Sequence, residues 1–164
     1  MRLAFLSIAL TAAALSACAT SPRTPAPAVD AAAPAPIDGY DWFMHQDGGE
    51  AMLAYGVADS DEVKLRFDCG KGTGRLHLIA PSVKGERQFY LESGGDTERY
   101  PASLEPSGLH DGDLMNADAP ADAPVFQRFR RLGWIAAWRG QDREVYAAHP
   151  GSETKVEAFF SVCG

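Results

Sequence analysis

Ten residues from Arg66 to Arg75, RFDCGKGTGR, hold three glycines, a lysine and a cysteine, the residue types that cradle a phosphate. A phosphate loop needs glycine, four residues, then glycine, lysine and serine or threonine, so that backbone N–H groups converge on the anion. Here Gly70 and Lys71 are followed by Gly72, with Asp68 and Cys69 in front, and the spacing fails. His45, His77, His110 and His149 are scattered without a zinc-binding spacing, so no metal site is expected. The stretch from His110 to Asp122 gathers four aspartates but lacks the glycine and terminal glutamate of a calcium loop, and reads as a solvated acidic loop. Ser93 lacks the preceding glycine of a nucleophile elbow. Glu50, Glu92 and Glu105 would support glycosidic chemistry only if folding brought a pair together. No cofactor is implied, and binding rather than catalysis is the expectation.

One constellation points to recognition. Trp134 and Trp138 share a face in either a strand or a helix, with Arg128, Arg139 and Arg143 close by, and Arg130 and Arg131 between. Exposed beside guanidinium groups, the two indoles would form a platform for a sugar, an anionic glycan or a peptide. The competing reading sends both rings into the core and leaves the arginines solvated, and the general burial of large aromatics favours it.

The elements that must position these residues are mostly short strands. DEVKLRF alternates Val63, Leu65 and Phe67 against Lys64, Arg66 and Asp68, and GRLHLIA sets Leu76, Leu78 and Ala80 opposite Arg75, His77 and Ile79. The glycine loop between them is then a hairpin connection whose glycines supply positive φ angles. Asp47, Gly48 and Gly49 mark another turn, as do Gly94, Gly95 and Asp96 after the strand RQFYLES. Four or five such strands predict a small antiparallel barrel or sandwich. The C-terminal half adds one or two helices, making the class α+β and mainly β. DAPVFQRFRRLG offers Asp122 as N-cap, Pro124 in the first turn and Gly133 as the stop. WIAAWRG and REVYAAH predict a hairpin over Gln141 and Asp142. In the tail, Ser152 or Thr154 is the expected cap, with Glu157 completing a capping box and Cys163 facing inward with Val156, Phe159 and Phe160.

The N-terminus sets the compartment. Arg2 precedes an apolar run from Leu3 to Leu15, too short to span a bilayer, as a secretory signal does. Leu15, Ser16, Ala17 and Cys18 resemble a bacterial lipobox, which implies cleavage after residue 17 and a diacylglyceryl group on Cys18. Ala17, Cys18 and Ala19 also satisfy the small-residue rule of ordinary secretion, with cleavage after Ala19. Ala19 behind the lipidated cysteine implies, by analogy with lipoprotein sorting, export to the outer membrane. Residues 18–38 carry five prolines and no aromatic, the composition of a semi-extended tether, and residues 39–164 form the single globular domain. Loss of Arg2 takes the net charge from −7 to −8, which repels anionic polymers at long range and argues against nucleic acid. Cys69 and Cys163 are the two cysteines left, and in an oxidising compartment they are expected to pair.

The segments EAMLAYG, DEVKLRFDCGKGTGRLHL, APVFQRFRRLG and VEAFFSVCG resemble a class of small alphaproteobacterial secreted or lipid-anchored proteins of unknown function. LESGGDTERYPA is loosely similar to a segment of the lipoprotein inhibitors of c-type lysozyme. The expectation is an outer-membrane lipoprotein facing the periplasm, held to the membrane by its lipid, with a structural or binding role toward an envelope protein or glycan. The alternatives are inhibition of a wall-degrading enzyme and an envelope hydrolase.

Overall fold

The computed structural model describes residues 33–82, 86–108 and 112–164. Cys18, the signal segment and the tether up to residue 32 lie outside these residues, as do His110 and Asp111. The described residues belong to one compact unit.

Nine antiparallel strands form a nearly closed barrel, and two helices in the C-terminal half each pack one apolar face against its core. The strands are β1 (Tyr40–Asp47), β2 (Glu50–Val57), β3 (Val63–Gly70), β4 (Arg75–Pro81), β5 (Gln88–Ser93), β6 (Asp96–Pro106), β7 (Asp113–Pro120), β8 (Trp134–Arg139) and β9 (Asp142–Ala147). Helix α1 (Pro124–Leu132) joins β7 to β8, and α2 (Glu153–Cys163) closes the chain. The sheet order is β1-β2-β3-β4-β7-β6-β5-β8-β9. Its two ends approach each other: the Tyr146 ring of β9 lies 5.0 Å from the Tyr55 ring of β2, and the backbone N–H of His149, just past β9, donates to Asp41 Oδ1 of β1 at 3.3 Å.

Period-two alternation drives the strands, burying Leu53 and Tyr55 of β2, Leu65 and Phe67 of β3, and Leu76, Leu78 and Ala80 of β4. The expected acidic loop is instead a central strand. In β7, Met115, Ala117 and Ala119 are buried while Asn116 and Asp118 face outward. Its inward residues are small and its outward ones polar, so the hydrophobic signal was too weak to outweigh the aspartates.

Helix α1 buries Val125, Phe126 and Phe129 against Trp42 and Phe67, with ring centroids 4.9 Å apart for Trp42 and Phe129. Its N-cap is Ala123 rather than Asp122, because Pro124 takes the first helical position and needs no donor there. Gly133 ends it in the left-handed region at φ 74°. Ser152 stands at the N-cap of α2 but has helical backbone angles, and its hydroxyl donates to Asp41. Thr154 donates to the Gly151 carbonyl and Glu157 bonds Arg130, so the expected capping box does not form.

The glycine loop turns out to cradle the end of a helix. Gly72 N–H donates to the Val162 carbonyl and Gly74 N–H to the Cys163 carbonyl, each at 2.8 Å. These are carbonyls that the last turn of α2 leaves without intrahelical partners. Gly72 and Gly74 hold φ of 68° and 64°, where a side chain is strained. Beside them Cys69 and Cys163 form a disulfide across 94 residues, with Cα atoms 5.6 Å apart.

Candidate functional site

Two outward faces of the barrel carry chemistry. The first lies over β9, β8, β5 and β6. Register places Arg143 opposite Trp138, Trp138 opposite Tyr90, and Tyr90 opposite Arg99, a straight row across four strands. The next row inward along the strands is Val145, Ala136, Glu92 and Thr97.

Glu92 organises this face. It is only 8% exposed. Arg143 grips it with two bonds of 2.9 and 2.7 Å, and the Trp138 indole N–H donates to it at 3.0 Å. The bidentate Arg143 holds the carboxyl below the usual carboxylate range against the opposing effect of burial, with Trp138 assisting. In return Trp138 and Arg143 are fixed in orientation, and the Arg143 guanidinium lies 5.6 Å from the Trp134 ring centroid. Ser93, fully buried next to Glu92, donates to the Trp134 carbonyl at 2.9 Å and ties β5 to the start of β8.

The five residues singled out from the sequence divide. Trp134, Trp138 and Arg143 come together on this face. Trp134 is nonetheless buried, packed with Ala136, Ala147 and Val145 in a small cluster outside the main core, so it supports the face rather than presenting a ring. Arg128 does not join. From α1 it donates to the Ser93 carbonyl at 2.6 Å and to Glu98 at 3.2 Å, clamping the helix onto the β5–β6 turn. Arg139 also does not join, because the odd-numbered residues of β8 point inward. Its guanidinium reaches the carbonyls of Pro81 and Lys64 and pairs with Glu144 at 3.2 Å, bridging β8 to the far wall. Sequence reasoning missed Glu92, Tyr90 and Arg99 as members of the face. Only the β5–β8 pairing, which joins segments 46 residues apart, brings Glu92 to Trp138.

The second face is a groove of about 550 Å³ over β1 to β4 and β7. Register sets His45, Met52, Asp68, His77 and Asp118 in one row across five strands. His77 Nδ1 lies 3.1 Å from Asp118 Oδ1, and Arg66 Nε donates to Asp68 Oδ1 at 2.8 Å. Both pairs are substantially solvent-exposed. The thiol and hydroxyl side chains that line the groove are both otherwise engaged, Cys69 in the disulfide and Thr73 in a bond to the Gly70 carbonyl at 2.8 Å, which leaves the groove's chemistry to its carboxylates and imidazoles. Among the described residues no three His, Cys, Asp or Glu side chains converge closely enough to hold a metal.

No family model, curated protein or solved structure matches the chain.

What the geometry can do therefore rests on these residues alone. The first face is a fixed aromatic and cationic surface, and the second an open groove of paired charges. Among the described residues no helix is long and apolar enough to cross a membrane.

Proposed function

We propose that this chain is an outer-membrane lipoprotein facing the periplasm, anchored through Cys18, whose barrel binds an envelope component rather than transforming one. The observation that carries the reading is the Cys69–Cys163 disulfide. Once Cys18 is set aside as the lipid acceptor, these are the remaining two cysteines, and they meet inside the core. Such a bond forms and persists in oxidising compartments outside the cytoplasm. One acyl chain holds a membrane only marginally, so stable anchoring needs the diacylglyceryl group with its two chains.

Mass spectrometry of the protein isolated from its own host tests this. The expected species begins at acylated Cys18 and has Cys69 and Cys163 oxidised. An unmodified N-terminus at residue 20, or recovery from the cytosol with free thiols, overturns it.

One observation favours a second reading, an envelope hydrolase: the groove brings an imidazole and carboxylates together in the Asp68, His77, Asp118 row. Wall-polymer hydrolysis by the purified protein, abolished in Asp118→Asn, would establish that reading in place of the first.

A further inference from the structure

We infer that the row Arg99, Tyr90, Trp138, Arg143 is a binding site for a carboxylate-bearing sugar chain. The inference rests on the envelope-binding reading and supplies its ligand class.

The argument starts from alternation. On the outward face of β9, β8, β5 and β6 stand Arg143, Val145 and Ala147; Trp134, Ala136 and Trp138; Gln88, Tyr90 and Glu92; and Thr97, Arg99 and Pro101. Glu92 is the one acidic residue among them, and it is buried and neutralised by Arg143. On a chain of net charge −7, these twelve residues therefore carry one net positive charge, at Arg99, which has no ion pair among the described residues, while Glu86 stands past the Gln88 end and accepts from the Gly140 N–H. An anionic ligand, repelled elsewhere, is attracted here.

The aromatic pair specifies more than charge. Tyr90 is 37% exposed, one of three exposed large hydrophobic residues among those described, and Trp138 stands directly opposite it. Neighbouring strands lie about 4.8 Å apart, so the row from Arg143 to Arg99 spans about 14 Å, with two rings side by side at its centre. A pyranose offers an apolar C–H face to such rings, and a carboxylate on the sugar matches the planar fork of an arginine at the end of the row. An anionic lipid surface would also engage arginines and interfacial rings, so binding to anionic vesicles is the outcome set against the sugar in the test below. Glu92 fixes Trp138 and Arg143 before any ligand arrives, which lowers the ordering cost of binding.

Isothermal titration of the mature protein with a galacturonic acid trimer and with a neutral glucose trimer is the test. The acidic trimer is expected to bind about tenfold more tightly than the neutral one, with Tyr90→Ala and Arg99→Gln each weakening it about tenfold. Both substitutions are at exposed positions, so the variants should fold, and Asp118→Asn in the groove serves as the unchanged control. Equal binding of the two trimers, no binding of either, or indifference to Tyr90→Ala and Arg99→Gln overturns the proposal, as does Arg99-dependent binding of anionic vesicles without the trimer. None of those results bears on the acylation of Cys18, which the N-terminal mass decides separately.

Discussion

The two outward faces belong to one sheet, share its pleat and its spacing, and behave as opposites. Over β1 to β4 and β7, His77, Asp118, Arg66 and Asp68 pair with one another while exposed to solvent. Over β9, β8, β5 and β6 a single buried carboxylate binds two neighbours at once. Exposed pairs gain little because water competes for every bond and each long side chain loses freedom. Glu92 has no such competitor, so its three bonds persist and its neighbours take one geometry. Depth of one carboxyl, rather than the number of charges, separates a fixed surface from an adaptable one.

The largest perturbation of this contrast is at the groove's end, where Cys69 lines its wall. Replacing Cys163 by Ala releases a closure of 94 residues and is expected to cost about 4 to 5 kcal/mol in denaturant unfolding. It also frees the end of α2 from Gly72 and Gly74. Hydrogen exchange should rise along β3, β4 and the glycine loop before it rises along β5 and β8.

Next in size is Arg143→Ala, which leaves Glu92 buried with only the indole N–H as partner. The expected loss is about 3 kcal/mol, read from the same unfolding curves. The corresponding cut on the other face, Asp118→Asn, should change stability by no more than about 0.5 kcal/mol. Equal losses at the two positions would erase the distinction between the faces.

Acid sharpens the comparison further. Glu92 has a folded-state pKa below its unfolded value, so the unfolded chain binds more protons in that window. Its contribution to stability is complete above the unfolded value of about 4.3 and disappears as pH falls through the folded one. Asp41 and Glu157 are shifted in the same direction. For Asp41, burial acts upward and is outweighed by the bonds from Ser152 and backbone N–H groups; Glu157 is held down by Arg130. Arg143→Ala should therefore shallow the loss of stability between pH 5 and 3 without removing it.

The fold was legible to the extent that alternation was strong. Val63 to Phe67 and Leu76 to Ala80 announce β3 and β4, and the Gly94–Gly95 turn announces the β5–β6 hairpin. β7 was not legible, because Ala117 and Ala119 bury little area while the aspartates around them speak for a loop. That one omission also hid the groove, since Asp118 cannot be set beside His77 until β7 is paired with β4. The platform was half legible. Spacing alone puts Trp134 and Trp138 on one face and, once β8 is a strand, sends Arg139 to the other. Glu92 carries no local mark of its role, and proximity in sequence wrongly enrolled Arg128, whose helix turns it toward the β5–β6 turn.

The central claim, that an ionised Glu92 holds Trp138 in place, is tested most directly by following the Trp138 indole N–H resonance through a pH titration, assigned by its loss in Trp138→Phe. It should stay constant from pH 8 down to about 5, resist exchange with solvent, and shift only as the carboxyl takes a proton below the ordinary range for a glutamate. A fast-exchanging indole proton, or one that titrates at or above the usual glutamate value, would contradict the account.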